Sequence, residues 1–236
     1  LALGELRIPR LDEGVRASLQ VLLTARESMT HERTSHVNAL NALTRIHDLG
    51  VDARTALTTT QIAMISRWRD REEPLAKAIA RAEAIRLATR IRDLDTAITA
   101  NLARMKELVE ISQGAPLLDE TGYGPVTVAT CLTAWSHQGR LTSEAAFAAL
   151  AGVNPIPASS GNTVRHRLNR GGDRRLNKAL HTIALTRMVH DPTTREYVER
   201  RRHEGRTTRE IRRCLKRYIA RHIYRTLNTT PTPHTT

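Results

Sequence analysis

Ser159 and Ser160 stand directly before Gly161 in the stretch "NPIPASSGNTVRHRLNRGGDRRLNKAL" (154–180). The same stretch carries Arg165, His166, Arg167, Arg170, Arg174 and Arg175. A hydroxyl beside arginines suits attack on a phosphodiester: the oxygen adds to phosphorus while guanidinium groups hold the extra negative charge of the five-coordinate centre. Gly161 lets the backbone turn sharply beside the hydroxyl. An unactivated serine is a poor nucleophile and needs a base, or a metal that polarises the phosphate. Arginine is a poor base, so His166 is the candidate proton acceptor, although a lone histidine in a basic loop is more often a phosphate contact. The competing assignment is that both serines merely satisfy loop amides, and the residues taken alone favour it.

The charge around this stretch is lopsided. Residues 1–164 hold 18 Lys+Arg and 18 Asp+Glu, whereas residues 165–236 hold 19 and 6, so the formal charge of +13 lies in the last third. Such a segment is expected to bind a polyanion, because Lys and Arg displace counterions from a phosphate backbone. Nearly all of these cations are arginines, which grip phosphate with two hydrogen bonds. The bland alternative is a solvated helical face with incidental charge. Arg212, Arg213, Lys216 and Arg217 fall on the final helix, with Ile211, Leu215, Ile219 and Ile223 repeating every fourth residue beneath them. They read as contacts to a nucleic-acid backbone rather than to base edges. Gly171-Gly172-Asp173 reads as a helix start whose amides can hold a phosphate, flanked by Arg174 and Arg175.

The elements that must position these groups are expected to be helices. Apolar residues make up 40% of the chain and aromatics only 3%, a Leu- and Ala-rich composition that suits a mainly all-α fold. One long helix is predicted over 12–47 with Asp12 as its cap, a short one over 59–69, and a second long one from Pro74 to about Ser112. The seam Leu87, Ile91, Leu94, Ile98, Leu102, Met105 and Val109 is coiled-coil-like, which suits an antiparallel hairpin or pairing with a second copy. Gly122 and Gly124 in "TGYGPVTVATCL" resemble the Gly-x-Gly turn of a helix–hairpin–helix, which aims amides at a nucleic-acid phosphate; a tight turn with no ligand is the alternative. Short helices over 142–155 and from Asp173 follow, then one over 207–227. The domain reading is a helical coiled-coil region at 1–113, a C-terminal domain at 114–227 and a disordered tail at 228–236.

Cys131 and Cys214 are far apart and have no ligand pair near them, so neither a disulfide framework nor a zinc site is expected and the cytoplasm is the default. No apolar run approaches the roughly 20 residues needed to span a bilayer.

Taken together, "ELRIPRLDEGVRASLQVLLTARESMTHERTSHVNALNAL", "TGYGPVTVATCL", "AFAALAGVNPIPASSGNTVRHRLNRGGDRRLNKAL" and "TREIRRCLKRYIARHIY" resemble bacterial insertion-sequence transposases of the group numbered 110, 116 and 902, the RNA-guided bridge recombinases. The resemblance implies an N-terminal RuvC-like domain with metal-binding acidic residues, a coiled coil, and a C-terminal domain whose serine forms a phosphoserine intermediate with DNA. It implies DNA and a guide RNA as partners; the coiled-coil-like seam adds the expectation of a homo-oligomer, and a nucleoid-associated cytoplasmic protein is expected. By the family pattern the nucleophile is the serine before glycine, Ser160, with Ser159 the fallback. The acidic motif lies upstream of "ELRIPRLDEG" in the family, so this chain is expected to be a fragment that holds no cofactor of its own, Mg²⁺ entering only with the RuvC-like domain. Two other functions compete: a non-catalytic nucleic-acid-binding module or transposase remnant, and a helical oligomerisation protein.

Overall fold

In a computed structural model the described residues are 8–157, 166–169 and 171–230. Among the described residues the fold is all-α apart from one short antiparallel ribbon. The helices are α1 (Gly14–Ile46), α2 (Thr59–Ile65), α3 (Leu75–Glu110), α4 (Pro125–Trp135), α5 (Glu144–Leu150), α6 (Arg174–His190), α7 (Pro192–His203) and α8 (Thr208–Thr229), with a 3-10 helix at Ala115–Asp119. Strands β1 (Pro155–Pro157) and β2 (His166–Leu168) lie between α5 and α6 and pair antiparallel, Ile156 opposite Arg167. The chain forms two compact units, one from Leu1–Leu23 with Arg104–Thr236 and the other Thr24–Ala103. The boundary expected at 113/114 therefore falls inside the first unit's second segment, and α1 and α3 supply residues to both units.

The second unit is a helical hairpin with α2 packed on it. Its core is Leu40, Leu49, Leu57, Ile62, Ile65, Ala80, Ala84, Leu87, Ala88 and Ile91. Arg33 of α1 pairs with Asp95 of α3, and Glu32 with Arg90 at 2.7 Å, which sets the two helices antiparallel within one chain. Thr58 and Gln61 form a reciprocal cap that starts α2 by satisfying amides the first turn leaves open. Arg81, buried on α3, makes two hydrogen bonds to Glu73 at 2.6 and 2.8 Å and lies 4.9 Å over the Trp68 ring. Pairing and stacking together make burial of that charge tolerable.

The first unit carries the larger core. Trp135 and Cys131 of α4, Phe147 of α5, Leu176, Leu180 and Ile183 of α6, and Ile211, Ile219 and Ile223 of α8 are all buried in it. α8 buries the stripe its sequence spacing predicts and continues to Thr229, two residues into the segment expected to lack structure. Ser143 caps α5 by accepting from the Ala146 amide at 3.1 Å. Asp173 caps α6, accepting from the amides of Arg175 at 2.9 Å and Leu176 at 3.0 Å. α1 begins at Gly14, so Glu13 occupies its N-cap position and Asp12, the expected cap, lies one residue too early. Helix α7 has no apolar stripe to announce it, but Asp191 accepts from the Thr194 amide at 2.8 Å and Pro192 occupies the first turn, a start signal that its sequence does contain.

Cys131 and Cys214 are free thiols. Burial pushes the Cys131 thiol up to about 12, so almost none of it is thiolate near neutrality. The expected result is that an alkylating reagent at neutral pH leaves Cys131 unmodified in the native chain and modifies it only in denaturant, as peptide mass mapping reads directly.

Candidate nucleic-acid interface

The stretch proposed to do chemistry is held at its base by close backbone packing and a small amide network. Gly152, just past α5, has φ +65°, a conformation open to glycine at little cost. A Cβ added to Gly172 would lie 2.3 Å from the Gly152 nitrogen and 2.5 Å from its Cα. The two backbones therefore cross with no room for a side chain, and the Asp173 amide donates to the Leu150 carbonyl at 2.7 Å across the same junction. β1 departs from one side of this junction and β2 returns to the other.

Three polar side chains lock the junction. Asn169 donates through Nδ2 to the Asn154 side-chain oxygen at 2.8 Å, and its own Oδ1 accepts from the Gly171 amide at 2.9 Å. Asn177, on the first turns of α6, donates to the Ala151 carbonyl at 2.7 Å and accepts from Lys216 Nζ of α8 at 2.6 Å. Each satisfies groups that would otherwise be lost to water.

Ser159, Ser160, Arg165 and Arg170 fall outside the described residues. Arg167 is placed by its backbone in β2. Arg174 and Arg175 are exposed at the start of α6. The anion expected at that helix start is supplied by the chain itself: Asp173 takes the Arg175 and Leu176 amides, and its other oxygen receives Arg10 at 3.3 Å. Gly172 is there for the backbone crossing. On α8, Arg212 and Lys216 sit one turn apart on the flank toward α6, half-buried, while Arg213 lies on the exposed face and Arg217 is half-buried one turn beyond it. None of these four forms an ion pair among the described residues, whereas Arg221 and Arg225 are held by Glu144 at 3.4 and 2.5 Å and Arg206 by Glu210 at 3.8 Å.

The Gly-x-Gly turn is built differently from the expected hairpin of two α-helices. The element before it is the five-residue 3-10 helix, and the one after it is α4. Gly122 has φ +94°, and a Cβ there would meet the Ile183 carbonyl and Arg187 Cγ of α6, each at 3.1 Å. The Gly124 amide donates to Thr127 Oγ1 at 3.0 Å. Packing on α6 thus accounts for Gly122 without a ligand.

Residues 115–199, from the 3-10 helix through most of α7, match the family described as Transposase IS116/IS110/IS902. This segment is similar to that family of transposases. The matched segment contains the whole β1–β2 ribbon and α6, and α8 lies beyond it. The chain is 31% identical over 121 residues to an uncharacterized 43.6 kDa protein of insertion element IS110 from Streptomyces coelicolor, covering 50% of this chain and 30% of the relative. It is 32% identical over 124 residues to an uncharacterized 42 kDa protein of insertion element IS900 from Mycobacterium paratuberculosis, covering 51% and 31%. The matched part is thus under a third of either relative's length. Among the described residues no helix is long and apolar enough to cross a membrane, and no three His, Cys, Asp or Glu side chains stand close enough together to hold a metal ion.

Proposed function

We propose that the chain is the DNA-handling part of an insertion-sequence transposase, with Ser160 as nucleophile and Ser159 as the alternative. The observation that carries this reading is the matched segment itself: it spans the ribbon whose two strands flank residues 158–165. In the proposed step the Ser160 hydroxyl oxygen bonds to phosphorus, one backbone P–O bond breaks, and the departing strand end leaves as a hydroxyl. The serine's proton passes to a base, for which His166 is the candidate in this stretch, and a proton from that base or from water completes the departing hydroxyl. Arg165, Arg167, Arg170, Arg174 and Arg175 are the proposed holders of the phosphate oxygens. On this reading Mg²⁺ would enter with the RuvC-like domain of the family and polarise the phosphate. Selection of the target by a guide RNA, and contact with a second copy through the helical hairpin, belong to the same proposal.

A second reading, a binding module without chemistry, draws on the α8 cations that have no carboxylate partner among the described residues. Both readings require DNA affinity that falls steeply with salt, since each phosphate neutralised contributes close to one unit of slope. The expected result is tight binding of a labelled duplex at low ionic strength and a decline of several orders of magnitude in affinity towards about 200 mM salt, read by fluorescence anisotropy. No binding at low salt would overturn both and favour the oligomerisation protein.

A further inference from the structure

Among the described residues, Lys216 is an ion without a counter-ion. Its ammonium is half-buried between α6 and α8, and no carboxylate described there pairs with it. One of its three N–H groups is given to Asn177 Oδ1 at 2.6 Å. Asn177 has no acceptor of opposite charge to offer, and its own amide is engaged by the Ala151 carbonyl at 2.7 Å. Lys216 and Arg212 are the charges that act on His181 here. Burial holds Lys216 below the ordinary lysine value. Burial first, then Lys216 and Arg212, hold His181 below the ordinary histidine value.

Two like charges, Lys216 and Arg212, partly withdrawn from water are costly, and folding alone gives no reason to bring them together. The cost is recovered if an anion arrives. Asn177 and His181 lie one turn apart on α6, and Arg212 and Lys216 one turn apart on α8, so the four side chains line one flank of this helix pair. Through Asn177 and Ala151 that flank is joined by two hydrogen bonds to the Gly152–Gly172 crossing, from which the ribbon starts. An anion bound there is therefore fixed relative to the ribbon by rigid elements, as a positioning site must be.

We propose that Lys216, with Arg212 and His181 beside it and Asn177 orienting it, is a phosphate subsite that seats a DNA backbone phosphate at the foot of the β1–β2 ribbon. The subsite rests on the DNA-handling reading above. It gives α8 a task that the exposed Arg213 does not share: holding one strand in register with the ribbon rather than adding general affinity.

The test uses the full chain and a short DNA duplex. In Lys216→Met, which keeps the length of the stem, log affinity against log salt is expected to lose about one unit of slope with circular dichroism unchanged. If wild-type chain fails to bind the duplex, the DNA reading itself falls. If wild-type chain binds and Lys216→Met keeps both the affinity and the slope, the subsite falls and the DNA reading stands. Should Lys216→Met not fold, the wild-type chain decides: the Lys216 ε-methylene NMR resonance, with lysine labelled, is expected to shift on titration with the duplex. A resonance that stays in place at saturating DNA overturns the subsite.

Discussion

Gly172→Ala is expected to destabilise the unit that carries the ribbon by about 1–3 kcal/mol, the usual cost of overpacking. The added Cβ would fall 2.3 Å from the Gly152 nitrogen, 2.5 Å from its Cα and 2.9 Å from the Ala151 carbonyl carbon. All three are backbone atoms, so no side-chain rotation relieves the overlap. Moving Gly152 is costly as well: at φ +65° it already faces the Asn169 carbonyl, 3.2 Å from where its own Cβ would be. The strain has to be met by parting α5 from the start of α6, which breaks the Asp173–Leu150 bond of 2.7 Å and loosens the Asn177–Ala151 contact. Gly171→Ala is the control, because its nearest neighbour is Asn169 Oδ1 at an ordinary 3.5 Å. Thermal unfolding of both variants checks the expectation: Gly172→Ala melts several degrees below wild type and Gly171→Ala close to it. Equal midpoints for Gly172→Ala and wild type would remove the crossing from the account.

The second large effect concerns activity. Ser160→Ala in the complete transposase is expected to abolish strand exchange while leaving DNA binding and folding as they were. Loss of a nucleophile removes the covalent route altogether, and comparable deletions elsewhere cost about six orders of magnitude in turnover. On the proposed reading the binding energy comes from other groups, the α8 cations among them, so the salt dependence of duplex affinity is expected to match wild type. Ser159→Ala separates the two neighbours: it is expected to retain exchange. Exchange at wild-type rate in Ser160→Ala, together with its loss in Ser159→Ala, would move the nucleophile by one residue.

Long apolar stripes are legible in the amino-acid sequence alone. Ile211, Leu215, Ile219 and Ile223 recur every fourth residue, and all four are buried on α8. The Ser143 and Asp173 caps are legible too, since a short polar side chain before an apolar run has a direct physical reason to stop amides from going unpaired. Helix α7 escapes periodicity because only Thr194 and Val198 of its residues are buried; the Asp191-Pro192 pair is its remaining signal. The ribbon escapes for another reason. Its strands are Pro-Ile-Pro and His-Arg-Leu, three residues each, too short for alternation to show and rich in a residue that strands disfavour.

The candidate site is legible as composition and illegible as geometry. The number of arginines after the serines and on α8 is what raises the expectation of a polyanion surface. Which cation lacks a counter-ion is a matter of contacts across the fold, and Asn177 and Lys216 are 39 residues apart. Gly171-Gly172-Asp173 shows the same limit. A glycine pair before an N-capping aspartate resembles an anion cradle, but the partner that explains Gly172 is another glycine, Gly152, far back along the chain beyond the ribbon. Gly122 likewise looks like a ligand turn until Ile183 and Arg187 of α6 are found against it.

The central claim is that a serine between β1 and β2 becomes covalently bound to DNA. The direct measurement incubates the complete transposase with guide RNA, Mg²⁺ and a nicked suicide DNA substrate, then denatures, digests and maps the adduct by mass spectrometry. The account predicts a nucleotide joined through phosphate to the peptide bearing Ser160, absent in Ser160→Ala. Completed strand exchange with no protein–DNA adduct at Ser160 or Ser159 would contradict it.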